Sequence, residues 1–357
     1  MTILFRLALL LVLVLHAAAA SSSARDPASF LPITDFSTFA KSAGGTAVET
    51  VITSPEIRSP NAWDEVVVSW NAESPSGCGL KFEARAIYTE RTTKYYCLGV
   101  WSEDEAKVPR ESVNGQRDAD GDVKTDTLVL KRPAQCVQLR ITFVGLDGKT
   151  QPRLRFLGLS FLDSGVTASA RPPNCAAWGR VIDVPRRSQV PFGKRQGWCS
   201  PTSVSMVLAH WAKALGRSDL DISVPETARG VFDRNWPGTG NWAFNTAFAG
   251  RFHGLRACVA RLNDIADLED WIVRGAPPVV SVSYSRLYGG NRKENDGHLI
   301  VVVGFTKTGD VVANDPWTRL DRSQAVRRTV FRKNFMVAWR SSHNTAYLIY
   351  PEAIAGK

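Results

Sequence analysis

Gly197-Trp-Cys-Ser-Pro-Thr-Ser-Val-Ser-Met-Val-Leu-Ala-His-Trp-Ala-Lys-Ala-Leu215 decides how the C-terminal half of this chain is read. From Thr202 to Leu215 apolar residues recur at helical spacing, and Gly216 follows as a stop signal. Pro201 falls in the first turn, where its missing N–H costs nothing. Cys199 then stands at the helix N-terminus, facing the positive end of the macrodipole. That position favours the thiolate, the nucleophilic form of cysteine. Taken alone, a cysteine there is more often buried or disulfide-bonded than reactive.

Working outward, residues 241–250 and 264–274 read as further helices, the last with Leu268, Trp271 and Ile272 on its apolar face. Val279-Val-Ser-Val-Ser283, His298-Leu-Ile-Val-Val-Val-Gly304 and Asp310-Val-Val-Ala-Asn314 read as strands. Helices first and strands afterwards predict an α+β domain. His298 opens its strand after Asp296-Gly297, so its ring is expected at the sheet end, and Asp315 closes the following one. A hairpin between these strands brings the Asp315 carboxylate to the His298 ring, where it would fix the tautomer. A lone histidine is commonly a core or surface residue, and an Asp before Pro316 commonly makes a turn. Together, Cys199, His298 and Asp315 supply a nucleophile, a base and an orienter.

These blocks carry a resemblance. Val184-Pro-Arg-Arg-Ser-Gln-Val-Pro-Phe192, Gly197-Trp-Cys-Ser-Pro-Thr-Ser203, Gly297-His-Leu-Ile-Val-Val-Val-Gly-Phe305 and Val312-Ala-Asn-Asp-Pro316 resemble, in order, the C39-like cysteine peptidase family. The resemblance covers roughly residues 180 to 350. It implies a papain-like fold with Cys199 as nucleophile, His298 as general base and acid, and Asp315 as orienter. It also implies a glutamine upstream of the cysteine at the oxyanion hole. Gln189 fits its block best, although it stands further from the cysteine than in papain, and Gln196 is the alternative. The Cys199 N–H would be the second donor. Many relatives have Cys-Gly-Pro where this chain has Cys-Ser-Pro. The transporter segments of exporter-linked members are missing, so leader-peptide processing during export is not implied.

Residues 25 to about 165 read as β-rich. Val66-Val-Val-Ser-Trp70, Leu80-Lys-Phe-Glu-Ala-Arg-Ala-Ile-Tyr88, Lys94-Tyr-Tyr-Cys-Leu-Gly-Val-Trp101, Thr127-Leu-Val-Leu130 and Cys136-Val-Gln-Leu-Arg-Ile-Thr-Phe143 are strand-like, with turn signals between them such as Asn114-Gly115 and Asp120-Gly121. No amphipathic helix of three turns interrupts them. Short strands spaced by turns predict an antiparallel β-sandwich or jelly roll. Ser69-Trp-Asn71 and Gly99-Val-Trp101 are similar to the sandwich that precedes this peptidase domain in some secreted bacterial proteins. Ala-Ser-Ala-Arg-Pro-Pro-Asn174 reads as a linker. The expected organisation is therefore α+β, with a β-sandwich domain at 25–168 and a papain-like peptidase domain at 176–355.

At the start, Arg6, the apolar run Leu7–Leu15 and the four alanines Ala17–Ala20 have the order of a secretory signal, placed at residues 1–20. The run is short for a membrane span, and no other long apolar run exists, so no stable transmembrane segment is expected after cleavage. Secretion, or a periplasmic or cell-envelope location, permits disulfides among Cys78, Cys97, Cys136, Cys175, Cys199 and Cys258. If one cysteine stays free for chemistry, at least one more must be unpaired. The net charge of +10 suits anionic surroundings. No run of basic residues forms a nucleic-acid arm, and no P-loop, HExxH or dinucleotide fingerprint is present.

The expected activity is hydrolysis of peptide or amide bonds, without a cofactor, on a peptide, protein or peptidoglycan-stem substrate, with an anionic cell-envelope polymer as a further partner. The alternatives are a degenerate peptidase that binds such a polymer through its sandwich, and a thiol acyltransferase. Asp118-Ala-Asp-Gly-Asp-Val-Lys-Thr-Asp126 offers carboxylates enough for calcium but misplaces the EF-hand glycine, and a solvated hairpin loop is the simpler reading. Trp198, Trp236, Trp242 and Trp317 lie near the proposed site, as pocket walls or as core.

Overall fold

A computed structural model describes residues 26–192, 197–291, 296–318 and 325–354. The expected signal at 1–20 and the alternative glutamine, Gln196, lie outside the described residues.

The first nine strands are β1 (Ala28–Ile33), β2 (Ala40–Ala43), β3 (Glu49–Thr53), β4 (Ile57–Glu73), β5 (Cys78–Ile87), β6 (Tyr96–Trp101), β7 (Gly121–Lys124), β8 (Thr127–Gly145) and β9 (Arg153–Leu162). They form one antiparallel hydrogen-bonded network in the order β1-β9-β4-β8-β3-β2, with β5 and β7 on the second edge of β8 and β6 beyond β5. Ile141 of β8, for example, lies between Ile52 and Phe82. The sequence predicts two strands at 127–130 and 136–143, but β8 runs continuously through both. Lys131, Arg132 and Pro133 face solvent midway, and β4 shifts register opposite them, so the proline's missing N–H interrupts no buried ladder. No helix occurs among the described residues before Cys175.

The second half contains α1 (Cys199–Leu215), α2 (Val224–Gly230), α3 (Trp242–Gly250), β10 (Leu255–Arg261), α4 (Ile265–Val273), β11 (Val279–Ser283), α5 (Tyr284–Leu287), β12 (Gly297–Phe305), β13 (Val311–Asn314), β14 (Arg327–Val330), α6 (Arg332–Arg340) and β15 (Thr345–Pro351). Its six strands are antiparallel in the order β10-β15-β11-β12-β13-β14. The whole is α+β, though β10 already separates α3 from α4. Gly216 ends α1 at φ +65, a conformation that L side chains resist. Asp264 and Asp267 form a capping box at the start of α4. No helix among the described residues is long and apolar enough to cross a membrane.

The two halves share one core. Trp70 stacks on Phe82 at 4.0 Å, and Phe244 of α3 meets Trp70 edge-on and leans against Trp101. Gly99, at φ +148, leaves room for that ring, because a Cβ there would lie 3.0 Å from Phe244. The outer edge of β10 has no strand neighbour among the described residues, yet three of its N–H groups are occupied. Asn71 Oδ1 accepts from Ala257 (3.1 Å), Ser69 Oγ from Val259 (3.0 Å) and Ser160 Oγ from Arg261 (2.8 Å). The N-terminal sheet thus covers with side chains an edge that would otherwise template aggregation.

Candidate active site

Cys199 is the first residue of α1 and is 7% exposed. Trp198 stands at the N-cap and makes no side-chain capping hydrogen bond to the helix. The helix is fastened above the second sheet from two points. Ser203 Oγ donates to Leu299 O at 3.2 Å, and Ser200 Oγ lies 2.9 Å from the Tyr347 hydroxyl. Both contacts fall within one turn of the thiol and fix it over the start of β12.

His298 is the second residue of β12, opposite Val282, and is 6% exposed. Asp315 follows β13, whose Asn314 pairs with Val301, so the hairpin returns its carboxylate towards the His298 ring. His298 Nε2 lies 2.7 Å from Asp315 Oδ1. With Nε2 engaged there, Nδ1 is the ring nitrogen left to face the Cys199 thiol, whose proximity helps raise the imidazole's pKa. Asp315 also accepts from the Trp317 N–H at 2.9 Å and, on Oδ2, from the Tyr288 hydroxyl at 2.6 Å. Arg328 Nη1 is 4.0 Å from the same oxygen. Tyr284 stands edge-on to the His298 ring at 5.2 Å.

The electrostatics follow from these partners. Burial opposes a charge on His298, but the Asp315 hydrogen bond and the Cys199 thiol outweigh it and raise the imidazole's pKa. Burial likewise opposes charge on Asp315, and the His298, Tyr288 and Trp317 donors hold it below the usual carboxylate range. Tyr288 is pushed up, first by burial and then by the adjacent carboxylate, so it remains a hydrogen-bond donor. This arrangement can hold an imidazolium between a carboxylate and a sulfur.

Gln189 is buried, and its N–H donates to Pro316 O at 3.0 Å. Three residues on, Phe192 packs on Trp198 at 5.7 Å. The segment therefore runs from the Asp315 turn towards the residue before Cys199. Gln189 Oε1 is buried without a hydrogen-bond partner among the described residues.

A cleft of about 760 Å³ opens over Cys199. Trp236 and Trp242 line it, whereas Trp198 packs on Phe192 and Trp317 contributes its backbone N–H. One wall comes from the N-terminal sheet, through Glu65, Val129 and residues 124–127. That wall was not foreseen from the sequence, and neither were Tyr284 and Tyr288. The tyrosines left a faint signal, four residues apart directly after a strand that pairs with the His298 strand.

Other candidates are occupied otherwise. Asp118 accepts from the Tyr96 hydroxyl and two backbone N–H groups and pairs with Lys94, while Asp120 pairs with Arg91. No cluster of metal-ligating side chains occurs among the described residues. All six cysteines are free thiols. Burial pushes the Cys258 thiol up to about 12 and also raises Cys78 and Cys97.

Two family models match the chain. Residues 34–161 match the Peptidase C39 N-terminal domain, and residues 181–347 match the Peptidase C39-like family. No curated protein matches the chain. Among solved structures, a C39-like peptidase from Bacillus anthracis aligns at 17% identity and a TM-score of 0.37, covering 48% of this chain and 98% of that one.

Proposed function

We propose that this chain, whose residues 181–347 belong to the C39-like peptidase family, is an exported cysteine peptidase or amidase working through Cys199, His298 and Asp315. The observation that carries the reading is the orientation of His298. Its Nε2 is engaged by Asp315, so its Nδ1 side serves the thiol at the N-terminus of α1.

The chemistry is acyl transfer. Cys199 Sγ, as thiolate, attacks the substrate carbonyl carbon, and the carbonyl oxygen takes the electron pair. The tetrahedral intermediate collapses by breaking the C–N bond, with the His298 proton passing to the leaving amine. Water then attacks the thioester, His298 Nδ1 accepts its proton, and the acid departs as the thiolate is restored. Asp315 keeps the Nε2 proton in place and stabilises the imidazolium. The Cys199 N–H and the Gln189 side-chain amide are assigned to the oxyanion. The burial of Gln189 and its backbone link to Pro316 support that assignment.

We read residues 25–168 as a sandwich-like companion module, folded around the two long strands β4 and β8. Export is inferred from Arg6, the Leu7–Leu15 run and Ala17–Ala20, with a peptide, protein or peptidoglycan stem as the substrate outside the cytoplasm. The test is incubation of the mature protein with peptide and cell-wall panels, followed by mass spectrometry. Hydrolysis with an acyl adduct trapped on Cys199, absent in Cys199→Ala, supports the proposal. Diversion of the product by an added amine would make the protein an acyltransferase. Polymer retention without bond cleavage would make it a binding protein.

A further inference from the structure

Six charged side chains and His343 line the cleft, and they are not equally committed. Glu65 lies 2.6 Å from Arg261 and 3.3 Å from His343. Asp126 accepts from the Trp242 N–H at 2.5 Å and from the Thr127 hydroxyl at 3.1 Å. Asp296 accepts from the Ser285 N–H at 2.6 Å. Every carboxylate in the cleft therefore has protein donors. Lys124 and Arg286, by contrast, have no carboxylate within ion-pair distance among the described residues, although both line the same cleft as Cys199. The Arg286 backbone donates to Ser283 Oγ and accepts from the Gly289 N–H, and its guanidinium makes no hydrogen bond among the described residues.

The two cations come from different halves of the chain. Lys124 ends β7 at the rim of the N-terminal wall, and Arg286 lies on α5, two residues before Tyr288 and its bond to Asp315. The wall is held rigidly. Thr125 makes the turn at φ +61, and the next residue, Asp126, is tied to the first residue of α3. The loop carrying Trp236 is also held from the N-terminal half, by Ser112 N–H to Asp233 (3.0 Å) and by Arg110 Nε to Phe232 O (3.0 Å). The formal charges of the cleft balance, with Glu65, Asp126 and Asp296 against Lys124, Arg261 and Arg286, and Lys124 also acts at longer range on Glu65, so the attraction for a carboxylate is local to the Lys124 ammonium and the Arg286 guanidinium. A guanidinium there can also grip one bidentately.

We infer that the cleft selects acidic peptides, with Lys124 and Arg286 together receiving carboxylates that flank the bond to be cleaved. The N-terminal domain is on this view half of the specificity site. The inference rests on the peptidase reading of Cys199, but it is tested by binding alone.

The probe is a panel of acetylated octapeptide amides, each carrying Asp, Asn or Lys at one position, titrated calorimetrically into full-length Cys199→Ala protein. The Asp peptides are expected to bind roughly fivefold more tightly than their Asn counterparts, with the advantage shrinking at high salt. In Lys124→Ala and in Arg286→Ala that ratio falls towards one. Equal binding of Asp and Asn peptides, a preference for Lys, a preference that survives both substitutions, or no binding by any peptide would overturn the inference. Acidic preference in a wild-type protein that cleaves nothing would sink the peptidase reading and leave this one standing. Cleavage without acidic preference would do the reverse.

Discussion

Tyr288 donates its phenolic O–H to Asp315 Oδ2 at 2.6 Å, on the carboxylate oxygen that does not meet His298. The tyrosine caps the C-terminal end of α5, in the connection between β11 and β12, and completes the shell around a buried carboxylate. Tyr288→Phe removes one of three close donors without removing the carboxylate. We expect kcat to fall about tenfold with KM nearly unchanged, since a hydrogen bond to a charged group contributes about 1.5 kcal/mol. Asp315→Asn should cost a hundredfold or more, at roughly the scale known for orienting carboxylates. Steady-state kinetics on both variants checks the ranking.

The His298–Asp315 pair should contribute stability within a bounded pH window. The Asp315 pKa is lowered on folding, so its contribution is present above the unfolded value, about 4, and fades as pH falls through the folded value. The His298 pKa is raised, so its contribution is complete below the unfolded value, about 6.5, and fades as pH rises through the folded value. Wild-type protein should therefore exceed His298→Gln in thermal stability most between about pH 4 and 6.5, with the margin narrowing on either side. Melting curves across pH 3 to 10 read this directly.

Asp126 behaves in the opposite sense. Burial raises its pKa to about 6, despite the Trp242 N–H and the Thr127 hydroxyl. The unfolded chain ionises this group near pH 4 and the folded one later, so stability is lost as pH rises between those values. Asn can still accept from the Trp242 N–H without a buried charge. Asp126→Asn should match wild type near pH 4 and exceed it at pH 8, by on the order of 2 kcal/mol. Urea unfolding at the two pH values tests it.

The side chains that cover β10 should couple the two halves. Asn71 accepts from the Ala257 N–H and donates to the Ala257 carbonyl at 2.7 Å. Asn71→Ala leaves both buried groups unpaired and should destabilise the chain by about 2–4 kcal/mol. Because the core is continuous across the interface, unfolding should remain a single transition in wild type. Two separate transitions in denaturant would contradict that coupling.

The parts of the site that depend on local pattern were legible in the sequence. A cysteine before Pro201, a histidine opening an unbroken apolar strand and an aspartate closing the next one are readable because hairpin pairing and helix polarity are local rules. Tyr288 was not legible, because its role depends on a short helix turning it back on a carboxylate 27 residues away. Lys124 and Glu65 were less legible still, since only the packing of one half on the other brings them to the cleft. The single long β8 was hidden by Pro133, which reads as a break but sits where the strand faces solvent. Fully buried β15, Thr345-Ala-Tyr-Leu-Ile-Tyr-Pro351, lacks the alternation that marks a half-exposed strand.

The central claim is that His298 activates Cys199, and the rate of iodoacetamide alkylation at that cysteine tests it most directly. Non-reduced mature protein is labelled from pH 5 to 8 and mapped by peptide mass spectrometry, alongside His298→Ala. The account predicts rapid labelling of Cys199 near pH 6, far ahead of buried Cys258, and loss of that reactivity in His298→Ala. A Cys199 found in a disulfide, or one labelled no faster than Cys258 and indifferent to His298→Ala, would contradict it.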